Sequence, residues 1–341
     1  MYPTKAMQHR ARAVSAQAPA QTPAPAPASA AQRREISILL WNTWLLPGLF
    51  SDNNAYNRAS EIPAHIASHD IILLNETFSH KSLIIDALRS THPYVATLPR
   101  RCWFWPIFDS GLVVLSRYAI LEVRRTRFGK RRRWDLFAGK GSIGVRVDLS
   151  RRYKPEQPNE RRSVTTRPML TGNPDYDDTE DSYSDTASES DDDEEEEERF
   201  PPKTIDIYNT HMQTGNSRGE HKARHHQSVQ LGQFIAQNSF RASAVILGGD
   251  LNMGPILESV HYADDQDGKE RVKAYGTLKE ESGLDDVKVL VEGKGGDINR
   301  FLTRGVKVVK VEYPSVPVVK ASKGKGKKLS DSDMVVLKVQ V

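Results

Sequence analysis

Short apolar runs rich in β-branched residues recur along this chain of 341 residues, and the polar residues that stop them are of one chemical kind. Ile36–Trp41 runs into Asn42 and Thr43, and Asp70–Leu74 runs into Asn75 and Glu76. Thr204–Asn209 leads to His211, and Ala244–Leu247 leads to Gly248-Gly249-Asp250-Leu251-Asn252. Asp331 stands just ahead of Met334–Val339. Apolar runs this short, closed by polar or glycine residues, read as buried strands. Further strands are expected at Gly111–Ser116, Ser142–Asp148 and Phe301–Lys310, and helices at Tyr56–Ser68, Ser82–Arg89 and Ser217–Gln237. Strands outnumber helices, and the polar residues gather just past strand ends, which is the pattern of an α/β sandwich.

Charge divides the chain into parts that fold and parts that do not. The net charge of +4 conceals an acidic run, Asp175–Glu198, with 15 acidic residues and no basic one. Setting it aside leaves 29 acids against 48 lysines and arginines. Such a run repels itself and is expected to be disordered, whereas the basic remainder favours polyanions or anionic membrane surfaces. Residues 1–34 lack Asp and Glu and are rich in Ala, Pro, Gln and Ser, too poor in apolar surface to offset their ordering entropy. The expected organisation is therefore a disordered N-terminus over 1–34 and one domain over 35–341, interrupted by an insertion at 151–202. A single cysteine, Cys102, excludes a disulfide framework and a multi-cysteine zinc site, and fits a reducing compartment. The longest apolar candidate, Ile36–Phe50, is broken by Asn42, Thr43 and Pro47, so no segment approaches the roughly 18–20 residues of a membrane span. With no apolar signal region either, the expected location is intracellular, in the cytoplasm or peripheral to a membrane.

Any one polar residue at a strand end is commonly a cap or a turn. Several hard oxygen ligands with one histidine and no thiolate are what Mg²⁺ requires, with Mn²⁺ as a substitute. At this point the chain resembles the endonuclease/exonuclease/phosphatase superfamily, the DNase I-like fold. The matching segments are Trp41-Asn42, Asn75-Glu76, Ser110-Gly111-Leu112, Asn209-Thr210-His211, Gly249-Asp250-Leu251-Asn252, Ile298-Asn299-Arg300-Phe301-Leu302 and Leu329-Ser330-Asp331. Within the superfamily it is most similar to neutral sphingomyelinases, through Ser110–Arg117, Gly139-Lys140-Gly141, and His211-Met212-Gln213 followed by Arg224, Gln227 and Gln230. The resemblance implies a four-layer α/β/β/α sandwich and Mg²⁺-dependent hydrolysis of sphingomyelin to ceramide and phosphocholine. It also implies that Glu76 binds the metal with help from Asn42, and that Asp331 sits at the metal cluster. Asp250 and Asn252 would hold water and phosphate, His211 would donate to a phosphoryl oxygen, and Lys140 would add positive charge near the phosphate.

Two departures bear on one function. Where the family reads Ser-Asp-His, with the histidine as general base, this chain reads Ser330-Asp331-Ser332. Where the family places an aspartate to orient that histidine, this chain has Asn299. Three readings follow: a slow hydrolase relying on metal and phosphate donors, another base (His225, His226, His261 or Asp297), or a protein that binds metal and phosphodiester without turnover. A nuclease or an inositol-polyphosphate phosphatase is the alternative within the fold, since fold alone does not fix substrate.

Basic and aromatic residues cluster as well. Arg131, Arg132 and Arg133 precede Trp134, Arg100 and Arg101 precede Trp103 and Trp105, and lysines from Lys320 to Lys328 precede Ser330. These are expected to contact a phospholipid or sphingolipid membrane surface, with nucleic acid as the alternative polyanion. Asp175–Glu198 is expected to fold back over them, strengthened by phosphorylation at Ser188 or Ser190. A monomer is expected.

Overall fold

A computed structural model describes residues 34–48, 54–99, 108–154, 204–239, 242, 244–253, 266–287, 298–319 and 327–340. The first 33 residues, the acidic run with Ser188 and Ser190, Trp103, Trp105, His261 and Asp297 lie outside the described residues.

The described strands are β1 (Glu35–Leu45), β2 (Ile71–Thr77), β3 (Tyr94–Thr97), β4 (Val113–Ser116), β5 (Tyr118–Arg127), β6 (Gly141–Arg152), β7 (Thr204–His211), β8 (Val245–Asp250), β9 (Asp285–Asp286), β10 (Asn299–Arg304), β11 (Lys307–Glu312), β12 (Val318–Val319), β13 (Lys327–Lys328) and β14 (Val335–Gln340). The described helices are α1 (Ala55–Ile66), α2 (Lys81–Leu88), α3 (Arg218–Ser239) and α4 (Gln266–Ser282). They form two six-stranded sheets, ordered β11-β14-β1-β2-β4-β3 and β5-β6-β7-β8-β10-β9, while β12 and β13 pair with each other.

The period-two alternation along each strand builds the layers. In β1, Ile36, Ile38 and Leu40 face the opposite sheet, where they meet Val145, Ile207 and Ile246. Leu39 and Trp41 point the other way and pack on Ala59 and Ile62 of α1, with Ile84 of α2 in the same cluster. Across the second sheet, Leu247 and Tyr208 pack outward on Leu231 and Ile235 of α3 and on Leu278 of α4. The result is the expected four-layer α/β/β/α sandwich. The two sheets approach closely at Gly248, where a Cβ would lie 2.7 Å from Leu73 Cδ1 on the facing sheet. No described helix is long and apolar enough to cross a membrane.

Several expected elements end elsewhere. Phe301–Lys310 is two strands rather than one, because Gly305 adopts φ +69° and turns the chain from the second sheet into the first. The basic segment after Tyr118 is itself strand β5, and α4 went unrecognised because its buried face is sparse: Gly268, Ala274, Tyr275, Leu278 and Ser282. Strand β6 continues to Arg152, so Arg151 and Arg152, placed in the insertion by composition, belong to the sheet. Arg152 Nη2 donates to Asp70 Oδ1 at 2.6 Å.

One buried cation ties the fold to its functional end. Arg58 of α1 is 2% exposed. Its guanidinium donates to the Leu329 carbonyl (Nε, 2.8 Å), to Trp44 O (Nη1, 2.9 Å) and to Thr43 O (Nη2, 2.5 Å). Burial lowers its pKa, and the charge of Asp331 opposes that shift. One side chain thus pins the end of β1 to the loop that carries Asp331. Arg58→Met leaves three carbonyls without their donor and is expected to cost about 3 kcal/mol. Urea unfolding checks this; an unchanged midpoint would contradict it.

At the far end of the molecule, buried His92 donates from Nε2 to His69 O at 2.8 Å, and burial pushes its pKa down to about 4. Because the folded chain resists protonating this ring, its contribution to stability is complete above the ordinary histidine value near 6.5 and falls as pH drops toward 4. His92→Gln, which keeps a donor but cannot titrate, is expected to make the loss of stability between pH 6.5 and 4 shallower, leaving the share of the other depressed histidines. Parallel slopes for variant and wild type would rule this role out.

Candidate active site

The site exists because two parallel strand pairs end on the same side of the sandwich. Strands β1 and β2 are parallel with α1 between them in the chain, and β7 and β8 are parallel with α3 between them. In open α/β sheets ligands bind outside the carboxyl ends of such strands. The register then sets Asn42 beside Asn75, His211 beside Asp250, and Asp250 beside Asn299 of antiparallel β10. Three residues at these ends, Trp44, Glu76 and Asn252, take left-handed φ values of 50°, 51° and 51°. Asparagine visits that region readily, whereas for Trp44 and Glu76 it costs on the order of 1 kcal/mol or more, a strain that clusters at functional sites.

An amide clasp joins the two sheets beneath the site. Asn75 Nδ2 donates to Asn209 Oδ1 and to Thr210 O, both at 3.0 Å. Asn209 Nδ2 returns bonds to Leu74 O and Val113 O, both at 3.0 Å. Above the clasp lie Glu76, His211 and Asp250, whose ligand atoms all fall within 4.8 Å of one another. His211 Nε2 is 3.6 Å from Glu76 Oε1 and 3.8 Å from Asp250 Oδ2. Asn42 Nδ2 bridges the two carboxylates at 3.0 and 2.9 Å. Its Oδ1 accepts from Trp44 N–H at 3.0 Å, which fixes the amide's orientation. In this arrangement Asn42 orients the carboxylates, and its oxygen, engaged by Trp44 N–H, is not offered as the metal ligand the sequence suggested.

The electrostatics are those of a site short of positive charge. Burial pushes Glu76 up to about 7, with the Asn42 amide and the Lys140 charge pulling the other way. Burial also raises Asp250, again opposed by Asn42 and Lys140. Both carboxylates would be stabilised by a further cation.

Lys140 is fully inside the site. Its Nζ donates to Met212 O at 2.7 Å, pairs with Asp135 Oδ1 at 3.1 Å and lies 3.0 Å from His211 Nε2. An ammonium only donates, so Nε2 accepts and the ring proton sits on Nδ1, a buried nitrogen with no partner among the described residues. Burial and the Lys140 charge hold His211 well below the usual histidine pKa, hence neutral. The expected donation from His211 to a phosphoryl oxygen is therefore not available from Nε2 in this arrangement, and Lys140 is the donor nearest to hand.

A cleft of about 520 Å³ opens over these residues. Its lining is apolar at Trp44, Leu46, Phe78, Phe108, Trp134 and Phe137 and polar at Glu76, Asp135, Lys140, His211 and Thr214, with Asp331 exposed at its edge. Of this lining Trp134 stands out in the sequence beside its arginines, whereas Trp44, Phe78, Phe137 and Asp135 do not. Aromatics scattered over Trp44–Phe137 carry no local pattern, though Asp135 stands only four residues before the Gly139-Lys140-Gly141 signal.

The other expected residues fall as follows. Asn252 donates its amide N–H to Asp250 Oδ1 at 3.0 Å and Nδ2 to Met212 O at 3.1 Å, bracing the aspartate. Asp331 lines the cleft but is exposed and lies outside the tight triad. Buried Asn299 donates to Asp333 O at 3.2 Å, and its Oδ1 has no partner among the described residues. Ser332 donates to Asp331 Oδ1 at 3.4 Å, and its carbonyl accepts from Trp41 Nε1 at 3.0 Å. Each departed position is thus occupied by local bonding. His225 sits 3.3 Å from Thr277 Oγ1 and stacks edge-on against His226; neither lines the cleft. Arg131 donates inward to Ala138 O at 2.7 Å, whereas Arg132 and Arg133 are exposed at the rim.

The family model described as "Endonuclease/Exonuclease/phosphatase family" matches residues 39–317. No curated protein matches the chain. Among solved structures, sphingomyelinase C from Streptomyces griseocarneus is similar at 17% identity, over 89% of this chain and 99% of that one, with a TM-score of 0.56. A beta toxin variant from Staphylococcus aureus, solved with bound magnesium ions, is similar at 15% identity over 90% and 99%, TM-score 0.55. An endonuclease/exonuclease/phosphatase family protein from Bacteroides thetaiotaomicron is similar at 12% identity over 91% and 98%, TM-score 0.57. At these identities the likeness is one of fold. With two sheets, outer helices, the strand-end triad and the matched span in agreement, the chain belongs to the endonuclease/exonuclease/phosphatase family.

Proposed function

We propose that this chain is a divalent-metal-dependent phosphodiesterase acting on sphingomyelin, releasing ceramide and phosphocholine, with Mg²⁺ as the ion and Mn²⁺ as a substitute. The observation that carries the reading is the Glu76–His211–Asp250 triad, of which Glu76 and His211 line an aromatic-walled cleft and Asp250 is buried beside them. The donor set fits a hard cation: two carboxylates raised by burial and a neutral imidazole, with Asn42 holding both carboxylates in place. When bound, the ion supplies positive charge to the phosphoryl oxygens. Glu76 and Asp250 would hold it, His211 would join them once Lys140 turns its Nζ away from Nε2, and Asp331 would face it from the rim. Lys140 would donate to a phosphoryl oxygen, and Asn252 would keep Asp250 aligned.

The cleft walls support a choline phosphodiester over a polyphosphate. A quaternary ammonium is attracted to the faces of aromatic rings, and Trp44, Phe78, Phe108, Trp134 and Phe137 supply such faces. A polyphosphate would need several cations, and the described lining offers Lys140 alone as a permanent one. The similarity of fold to a sphingomyelinase C and to a beta toxin holding magnesium ions adds support.

Hydrolysis joins a water oxygen to phosphorus, breaks the bond from phosphorus to the ceramide oxygen, and moves one proton from water to that leaving oxygen. Ser332 and Asn299 stand where the family has a histidine and its orienting aspartate, so the family's usual acceptor for that proton is missing. We infer that the natural protein is slow, and that the second reading, a binder without turnover, is its limiting case.

The test is phosphocholine release from sphingomyelin vesicles in Mg²⁺. Ser332→His/Asn299→Asp is expected to raise turnover by roughly 10²–10⁴, the usual contribution of general-base assistance. Adding Glu76→Gln is expected to cost at least about 100-fold of that gain. Equal rates for the wild type and the restored variant would show that the missing pair is not what limits the chain. Silence from both, with turnover of nucleic acid or inositol phosphates instead, would overturn the substrate.

A further inference from the structure

At the mouth of the cleft, residues Arg133–Leu136 form one turn of 3₁₀ helix. Trp134 is 70% exposed and Leu136 41% exposed, although large apolar side chains are ordinarily withdrawn from water. Around them stand exposed Lys130, Arg132 and Arg133. Glu220 lies 3.4 Å from Arg133 and offsets part of its charge, but no described carboxylate pairs with Lys130 or Arg132. Trp134 also lines the cleft, so whatever meets the turn meets the entrance of the site.

The turn is not a loose loop. Three glutamines clamp its backbone from behind. Gln213 Oε1 accepts from Arg132 N–H at 2.8 Å, and Gln227 Nε2 donates to Lys130 O at 2.7 Å. Gln230 accepts from Gly129 N–H at 3.1 Å and donates to Arg127 O at 2.6 Å. Gln227 in turn accepts from Gln213 N–H at 2.8 Å, beside His211. Asp135 closes the other side, accepting from Thr214 N–H at 2.8 Å. A backbone fixed at this many points presents Trp134 and Leu136 outward with little further ordering cost on binding.

We propose that Lys130–Leu136 is a membrane-docking element that seats Trp134 and Leu136 among the headgroups of an anionic phospholipid bilayer and sets the cleft mouth on that surface. The combination of exposed indole, exposed leucine and adjacent cations is what an interfacial anchor needs: apolar area for the headgroup–acyl boundary and positive charge for the anionic leaflet. A single-stranded nucleic acid would use the cations and Trp134, but Leu136 would have no role in stacking. The proposal rests on a lipid substrate, as proposed above, but its test reads binding rather than turnover.

The full chain is sedimented with vesicles of phosphatidylcholine containing roughly 30% phosphatidylserine, at low and at moderate salt. Wild type is expected to bind, more weakly as salt screens the attraction. Trp134→Ser/Leu136→Ser is expected to lower binding about tenfold at every salt concentration. Lys130→Gln/Arg132→Gln is expected to lower it about tenfold at low salt and little at high salt, at roughly three- to fivefold per charge. Both variants change only exposed side chains, and far-ultraviolet circular dichroism confirms folding. Binding of both variants equal to wild type overturns the proposal. So does a wild type that ignores vesicles while hydrolysing a dispersed short-chain sphingomyelin, a result that leaves the phosphodiesterase reading standing. Binding to single-stranded DNA in place of vesicles, lost in the lysine/arginine variant, assigns the turn to nucleic acid and overturns it as well.

Discussion

Two carboxylates, Glu76 and Asp250, are held side by side in a buried pocket, and the rest of the structure is arranged around the cost of that arrangement. Burial disfavours both negative charges, Asp250 pushes Glu76 up further, and the charge of Asp331 raises both. Within the chain the compensation comes from the Asn42 amide, which donates to both, and from Lys140, whose charge acts on both. Lys140 is itself held by Asp135 and by the Met212 carbonyl, so its charge is partly spent before it reaches the pair. A binding site for a hard dication is the arrangement that makes such a pocket stable when filled.

The scaffold explains how residues so far apart in the chain are brought together. Each parallel strand pair delivers its ends to one side, Asn75 and Asn209 lock the two sheets there, and Arg58 ties the end of β1 to the loop preceding Asp331. Glu76 takes its left-handed φ one residue before β2 ends at Thr77. Such positions are kept by surrounding contacts rather than by local preference.

Much of this was legible in the sequence because strands carry period-two signals and strand ends carry polar residues. Ile36, Ile38 and Leu40 against Leu39 and Trp41 show the two buried faces directly, and Glu76, His211 and Asp250 were recognisable from their places after apolar runs. What sequence did not show was direction and partnership. That Asn42 turns its nitrogen toward the carboxylates depends on the Trp44 amide, two residues away in the chain but set by a left-handed backbone. That Lys140 is buried against His211 depends on β6 and β7 pairing, which no local pattern specifies. Helix α4 has too few apolar positions to announce itself, and a break at Gly305 looks, residue by residue, like continuing strand.

The central claim is that Glu76, His211 and Asp250 form a divalent-cation site in this chain, whatever its rate of turnover. Its most direct test is a Mn²⁺ titration of the full chain followed by electron paramagnetic resonance, with Mg²⁺ as competitor and Asp250→Asn alongside. The account predicts one Mn²⁺ taken up per chain, displaced by Mg²⁺, with affinity reduced at least about tenfold in the variant. Uptake by the wild type and Asp250→Asn with equal affinity, or no uptake at millimolar Mn²⁺, would contradict it.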